Sequence, residues 1–247
     1  MPVPELNCLG KSDKGLKRLQ NEDAFAIRPD LGICAVSDGV GGAAAGQLAS
    51  RIFVETALEV FARAEVQSEE KCLDWVQLAF RLAHERILDC VKRNPHYQGM
   101  GCTAELAVFY GKSCILGHVG DSRTYLYREG RLKQLTRDHS LVQDQIDQGV
   151  ITAADARTHP MRNVILRAVG VNEILAVDIL KGKIRPGDVF LLCSDGLTDM
   201  VNDKTIEKVL SSPLALPQKG EELIQLAKSA GGYDNVTVIL CEIGTPS

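Results

Sequence analysis

No two cysteines of this chain lie closer than 12 positions, so its eight thiols supply neither a C-x-x-C redox pair nor a zinc knuckle. No apolar run approaches the ~18–20 residues that cross a bilayer. The opening MPVPELNCLGKSDKG lacks the apolar segment of a secretory signal. A basic excess is also missing: Lys plus Arg number 28 against 32 Asp plus Glu, a net charge of -4. That argues against nucleic acid or an anionic membrane as partner. No stretch is rich enough in Pro, Gly or Ser to be a linker, and no repeat is visible. The expectation is one cytoplasmic domain over residues 1–247, monomeric, with all eight cysteines reduced. What is present fits that frame: 45% hydrophobic and 24% charged residues over 247 positions suit an ordinary globular protein. A chain of this length needs no disulfide staples to hold a core.

Short β-rich apolar runs recur: LGICAV (31–36), AELAVFY (104–110), SCILGHV (113–119), RTYLYRE (123–129), DVFLLC (188–193) and NVTVILC (235–241). Their lengths predict strands. GKS at 111–113 and EGR at 129–131 read as hairpin turns, which predicts an antiparallel meander over 104–136. Two long helices are expected between the first strand and this meander. One runs over 44–64; the other repeats Leu73, Val76, Phe80, Ala83, Ile87 and Val91 at helical spacing until Asn94-Pro95. Shorter helices are expected at 140–148, 202–211 and 220–230. Strands and helices in separate blocks predict an α+β fold with antiparallel sheets.

Acids stand where strands end. Asp38 follows LGICAVS, Asp121 follows ILGHVG, Asp195 follows VFLLCS, Asp234 precedes NVTVIL, and Glu22-Asp23 opens AFAI. Any one Asp-Gly or Asp-Asn also reads as a plain turn. Five such coincidences suggest a shared site. Clustered carboxylates repel one another unless a cation neutralises them. Oxygen ligands without His or Cys suit Mg²⁺ or Mn²⁺. Two such ions could activate water for in-line attack on phosphorus, so the residues alone point to a metal-dependent phosphohydrolase.

Asp13-x-Gly15-x-x-Arg18-x-x-Asn21-Glu22-Asp23 resembles the opening motif of bacterial metal-dependent protein phosphatases of the PPM, or type 2C, family. The likeness continues in order through VSDGVGG (36–42), GMGCTA (99–104), GHVGDSRTYL (117–126), LTRDHSLV (135–142), HPMRNVILRAVG (159–170), LLCSDGLTDMV (191–201) and GGYDNVTVIL (231–240). The resemblance implies a four-layer α-β-β-α sandwich, two antiparallel sheets flanked by helices, with a dinuclear Mn²⁺ or Mg²⁺ site at one end. It implies removal of phosphate from phosphoserine and phosphothreonine in proteins by direct attack of metal-bound hydroxide, opposite a bacterial Ser/Thr kinase. By the same likeness Asp38 bridges two metals and the Gly39 carbonyl is a further ligand. Asp195 and Asp234 complete one ion's shell, while Glu22, with Asp23 through water, serves the other. Asp121 matches the ligand of a third, weaker metal, and Arg18 the phosphate clamp, for which a planar, permanently charged fork is suited.

The chain departs from the family at GGAAAGQ (41–47), where Ala43 and Gln47 replace a common His and Glu. Ala43 cannot donate a proton to the leaving oxygen. His118 is expected to be structural, and His139 and His159 are the weak substitutes. Without a side-chain acid, alkyl phosphates should turn over more slowly than aryl ones. The loss also leaves open a catalytically weakened, phosphatase-like binding or regulatory protein. Segment 139–170, with Thr152-x-x-Asp155 as a capping box, resembles the family's flap and reads equally as a surface helical hairpin. Gly39-x-Gly41-x-x-Ala44 mimics a dinucleotide fingerprint but no βαβ return follows. The glycine spacing from Gly41 to Gly46 lacks the Lys and Ser/Thr of a P-loop.

Overall fold

The structure is a computed structural model that describes residues 3–64 and 68–244. Its first half contains β1 (Leu6–Asp13), β2 (Ala24–Arg28), β3 (Ile33–Ser37), β4 (Gly39–Val40), α1 (Ala43–Ala62), α2 (Glu69–Arg93), β5 (Gly101–Cys102), β6 (Ala104–Tyr110) and β7 (Ser113–Val119). There follow β8 (Arg123–Arg128), β9 (Arg131–Gln134), α3 (Leu141–Asp147), α4 (Ala153–Ala156), β10 (Asp178–Lys183), β11 (Val189–Cys193), α5 (Asp195–Thr198), α6 (Asp203–Ser211), α7 (Leu216–Ser229) and β12 (Val236–Ile243).

Two antiparallel sheets carry these strands, in the orders β1-β12-β11-β8-β9 and β10-β7-β6-β3-β2; β4 and β5 form a separate short ribbon. Every residue of β6, β7 and β11 is buried, because each sheet is covered on both faces. That is why their sequences run continuously apolar instead of alternating. Phe109 and Phe190 meet edge-on between the sheets at 5.1 Å, with Leu116, Leu192 and Ile239 in the same layer. On the outer face of the second sheet α1 and α2 contribute Phe53 and Phe80, also edge-on at 5.1 Å, with Val76 and Ile87. On the outer face of the first, α6 and α7 bury Ile206, Leu210, Leu223 and Ile224 against Leu191, Val238 and Leu240. The expected α-β-β-α sandwich is therefore present.

The start of α2 follows from its sequence. Ser68 caps it, accepting from Lys71 N at 3.2 Å, with Glu69 and Glu70 in the first turn and Lys92 and Arg93 in the last. The expected meander is corrected. β6–β7 and β8–β9 are hairpins in different sheets, and the chain changes sheet at Gly120-Asp121-Ser122. Gly120 has φ +110°, and a Cβ there would collide with Thr103. The crossing sets Asp121 at the seam between the sheets. Helix α7 starts at Leu216, four positions earlier than expected, where Pro217 sits in the first turn and Gln218 accepts from Ala215 N at 3.1 Å. β1 and β10 were not visible as apolar runs because both are edge strands, with one ladder partner each. Among the described residues no helix is long and apolar enough to cross a membrane.

Candidate active site

Antiparallel pairing places the tail of β3 beside the head of β2, since Ala24 faces Ser37, and the tail of β11 beside the head of β12, since Cys193 faces Val238. The acids on these ends therefore converge at one edge of the sandwich. The β3 end is clamped: Asp38 N donates to Thr103 Oγ1 at 2.9 Å, Thr103 N donates to Asp38 O at 2.8 Å, and Ser37 Oγ donates to Thr103 O at 2.6 Å. Thr103 Oγ1 lies 2.7 Å from Ser122 Oγ, which ties this corner to the sheet crossing beside Asp121.

Asp38 occupies the centre. Burial pushes it well above the usual carboxylate range, and the charges of Asp23, Asp195, Asp121 and Asp234 push the same way. Asp195, at the start of α5, is raised by burial and by Asp121, Asp199 and Asp234. Burial lifts Asp121 to about 7, assisted by Asp138 and Asp199. Asp23 is lifted by burial to about 6 although Thr237 Oγ1 and Ser194 Oγ donate to its Oδ2 at 2.6 and 2.7 Å. Four mutually repelling acids, Asp121 buried and Asp23, Asp38 and Asp195 half-buried, are costly without a counter-charge.

Two atoms mark where that counter-charge belongs. Asp23 Oδ1 and Asp195 Oδ1 are buried and have no hydrogen-bond partner among the described residues. Unpaired carboxylate oxygens, with no nitrogen or sulfur donor in the cluster, fit a hard divalent ion and not zinc. Glu22, buried and also raised first by burial, forms a second lobe. Its Oε2 and the Gly39 carbonyl both approach Gly46 on α1, where any Cβ would overlap them. Asn235 holds this lobe by accepting from Glu22 N at 2.8 Å and donating to Lys14 O and Gln20 O. Gly46→Ala should therefore displace Glu22; the Mn²⁺ concentration for half-maximal phosphate hydrolysis is expected to rise about tenfold or more, read from a metal titration of the rate.

Arg18 stands half-exposed at the edge of the cluster, and its Nη2 donates to Asp234 Oδ2 at 2.6 Å. Asp234, Glu22 and Asp38 all hold it cationic. Its loop is fixed by Asp13, which accepts from Gly15 N at 2.8 Å and pairs with Lys228 at 2.8 Å. On the far side, a cavity of about 460 Å³ opens by Asp121 and Asp195, lined also by Arg123, Asp138, Arg157, Arg162 and Asp199. Segment 139–170 leans over it: Arg157 donates to Thr198 O at 3.0 Å, and Arg162 pairs with Asp199 at 3.6 Å. Within it the Thr152–Asp155 capping box is formed.

The sequence-nominated acids thus gather at one edge of the sandwich, within electrostatic range of Asp38 or Asp234, with Arg18 beside them. Ser194, Thr237, Asn235, Asp138 and Asp199 went unnominated. Asp199 had a legible signal, four positions after Asp195 on one helical turn. Ser194 and Thr237 hold Asp23, Asn235 holds Glu22 and Asp138 pairs with Arg123, none of them announced by a pattern in the sequence. The histidines stay outside. Burial pulls His118 down, but Glu105 at Nδ1 outweighs it and holds the ring near 8, while Nε2 faces Arg137 O at 2.8 Å. His139, lowered to about 4 by burial and His118, accepts from Gly120 N at 3.2 Å. His159 is half-buried and accepts from Met161 N at 3.2 Å.

The protein phosphatase 2C family model matches residues 16–241. The serine/threonine protein phosphatase PstP of Mycobacterium tuberculosis is 37% identical over 241 residues, 96% of this chain. The chain spans only 45% of that relative's length. The serine/threonine phosphatase stp of Listeria monocytogenes is 36% identical over 236 residues, 94% of each chain. The crystal structure of the PstP catalytic domain in complex with two manganese ions matches with a TM-score of 0.88 at 35% identity, covering 97% of this chain and 99% of that one. Acids, arginine, glycines and sandwich together lead to one conclusion: the chain belongs to the protein phosphatase 2C family.

Proposed function

We propose that the chain is a metal-dependent protein phosphatase that removes phosphate from phosphoserine and phosphothreonine in proteins, opposite a Ser/Thr kinase in the cytoplasm. Residues 1–247 would act as one domain and as a monomer. The observation that carries this reading is the half-buried carboxylate cluster around Asp38, with two buried oxygens that lack a partner, next to the half-exposed Arg18. Asp38, the Gly39 carbonyl, Glu22, Asp23, Asp195 and Asp234 would hold two Mn²⁺ or Mg²⁺ ions, and Asp121 a third. Such ions neutralise the acids and lower the pKa of water enough to supply a nucleophile near neutral pH.

The chain's own residues do the rest. Arg18, whose Nη2 donates to Asp234, would offer the rest of its planar fork to the substrate phosphate. Thr103, Ser194, Thr237 and Asn235 keep the acids in register. No histidine is positioned to protonate the leaving oxygen, and position 43 carries alanine, whose side chain lies outside what the structure describes. Solvent water would protonate it. The weakened-binder alternative gains nothing from the structure, since every acid position is filled.

Hydrolysis of a phosphothreonine peptide and of p-nitrophenyl phosphate, each with Mn²⁺ and with excess chelator, tests this. Mn²⁺-dependent release from both is expected, with the aryl ester faster. Release that survives the chelator would sink the metal assignment, and none from a folded, Mn²⁺-saturated chain would favour the binding protein.

A further inference from the structure

Three cysteines distant in sequence meet where the two sheets face each other. Cys8 on β1 stands directly across the ladder from Cys241 on β12, with the sulfurs 2.9 Å apart. Cys34 on β3 of the facing sheet brings its Sγ within 4.0 Å of Cys8. All three sulfurs lie within 4.8 Å of one another. Cys34 and Cys241 are buried and Cys8 is half-buried. The surrounding layer is apolar, built from Val36, Phe109, Leu192, Ile239 and Ile243. None of the three belongs to the acid cluster.

We infer that Cys8 and Cys241 are a modification site for hydroperoxides, closing to a reversible cross-strand disulfide with Cys34 as an adjacent third thiol. Directly opposed residues of an antiparallel pair have Cα atoms about 4.5–5.5 Å apart, inside the span a disulfide bridges. β1 is an edge strand, so Cys8 can be reached from outside while its two neighbours cannot. Contacts with Cys241 and then Cys34 hold the Cys8 thiol below the usual range, against burial, whereas Cys241, Cys8 and burial raise Cys34. Cys8 is therefore the sulfur that a small peroxide meets first, and it reacts through its thiolate form.

The step balances. The Cys8 thiolate attacks one peroxide oxygen, the O–O bond breaks, and hydroxide leaves Cys8 as a sulfenic acid. Cys241 sulfur then attacks Cys8 sulfur; the S–O bond breaks and water departs with the Cys241 proton. Two thiols lose two electrons and two protons to one peroxide, which becomes two waters. The product is neutral. A soft cation on three thiolates would leave net negative charge in an apolar layer, which is costly, so the geometry favours the covalent pair. The bond would join positions 233 apart in sequence, tying the chain's first strand to its last.

The reduced full-length chain is treated with stoichiometric hydrogen peroxide, acid-quenched, denatured, alkylated, weighed intact and peptide-mapped. Untreated chain should take eight alkyl groups, one per cysteine. Treated chain should take two fewer, yield a Cys8–Cys241 linked peptide, and recover all of them after dithiothreitol. Cys34→Ser should keep the link, while Cys8→Ser should lose it with an unfolding midpoint in reductant near wild type. Full alkylation after peroxide, a Cys8–Cys34 link, or Cys8 passing to sulfinic acid unlinked would overturn the assignment. So would one soft metal ion retained on these thiols after dialysis against chelator.

Discussion

Asp38→Asn is expected to lower kcat/KM for a phosphothreonine peptide at least about 10³-fold and, in the same variant, to raise the unfolding midpoint of the metal-free chain. The first effect follows from position. Asp38 is the acid on which the charges of Asp23, Asp195, Asp121 and Asp234 all act, so losing its charge should weaken the cluster's hold on any cation it binds. Metal-ion stabilisation of charge in hydrolysis is worth several kcal/mol, and about 4 kcal/mol is a factor of 10³. The second effect follows from burial. Asn matches Asp in shape, keeps the backbone bonds to Thr103, and cannot ionise among Asp23, Asp195, Asp121 and Asp234. Removing a buried like charge relieves its neighbours. Turnover assays and thermal melts in chelator at pH 7.5 read the two halves separately. Wild-type turnover would remove Asp38 from the site; a lowered midpoint would show that its carboxylate holds the fold together.

That coupling of a lost activity to a gained stability explains why the site was so legible in sequence. Asp is a poor strand residue, and a run such as LGICAVSDG spends five buried strand residues to deliver one acid to a seam. Such violations of local preference stand out, and they fell on Glu22, Asp23, Asp38, Asp121, Asp195 and Asp234 together. The residues that went unseen obey local preference. Ser194 and Thr237 are ordinary polar residues at a strand end and in a strand, and only the pairing of β11 with β12 shows that both reach Asp23. Gly46 sits inside a helix, where glycine is mildly unfavourable; its reason, the joint approach of Glu22 and Gly39, is a tertiary fact. The same limit produced the meander error. GKS and EGR specify their hairpins locally, but whether β7 and β8 pair depends on what covers each sheet, and Gly120 turns the chain from one to the other. Cys8, Cys34 and Cys241 likewise meet only through sheet stacking, with no spacing to announce them.

The metal-free chain should lose stability as pH rises, and Mn²⁺ should reverse that trend. Asp23 near 6 and Asp121 near 7 lie above the ordinary carboxylate value, and Asp38 and Asp195 are raised further by burial and one another. Between about pH 4 and 7 the folded chain therefore holds protons that the unfolded chain has released. With more protons bound when folded, unfolding free energy falls as pH rises through this window. His118, held near 8, acts in the same direction at the upper end, while His139, lowered to about 4, opposes it between 4 and 6.5, and the lowered Cys8 thiol opposes it too. Several acids outweigh one imidazole and one thiol. Because the acids share protons, a net loss on the order of 3 kcal/mol is the scale to expect, or roughly 5–10 °C in midpoint between pH 5 and 7.5 for a chain of this size. Divalent ions bind the ionised carboxylates, so their stabilisation should grow across the same window. Thermal melts at intervals of pH, with chelator and with saturating Mn²⁺, should diverge upward from about pH 5. Asp38→Asn should flatten both curves, since it removes the acid on which the others' repulsion converges. Parallel curves with and without Mn²⁺ would mean that the buried acids are neutralised by the protein's own groups, and that the cluster is a structural network with no need of a cation.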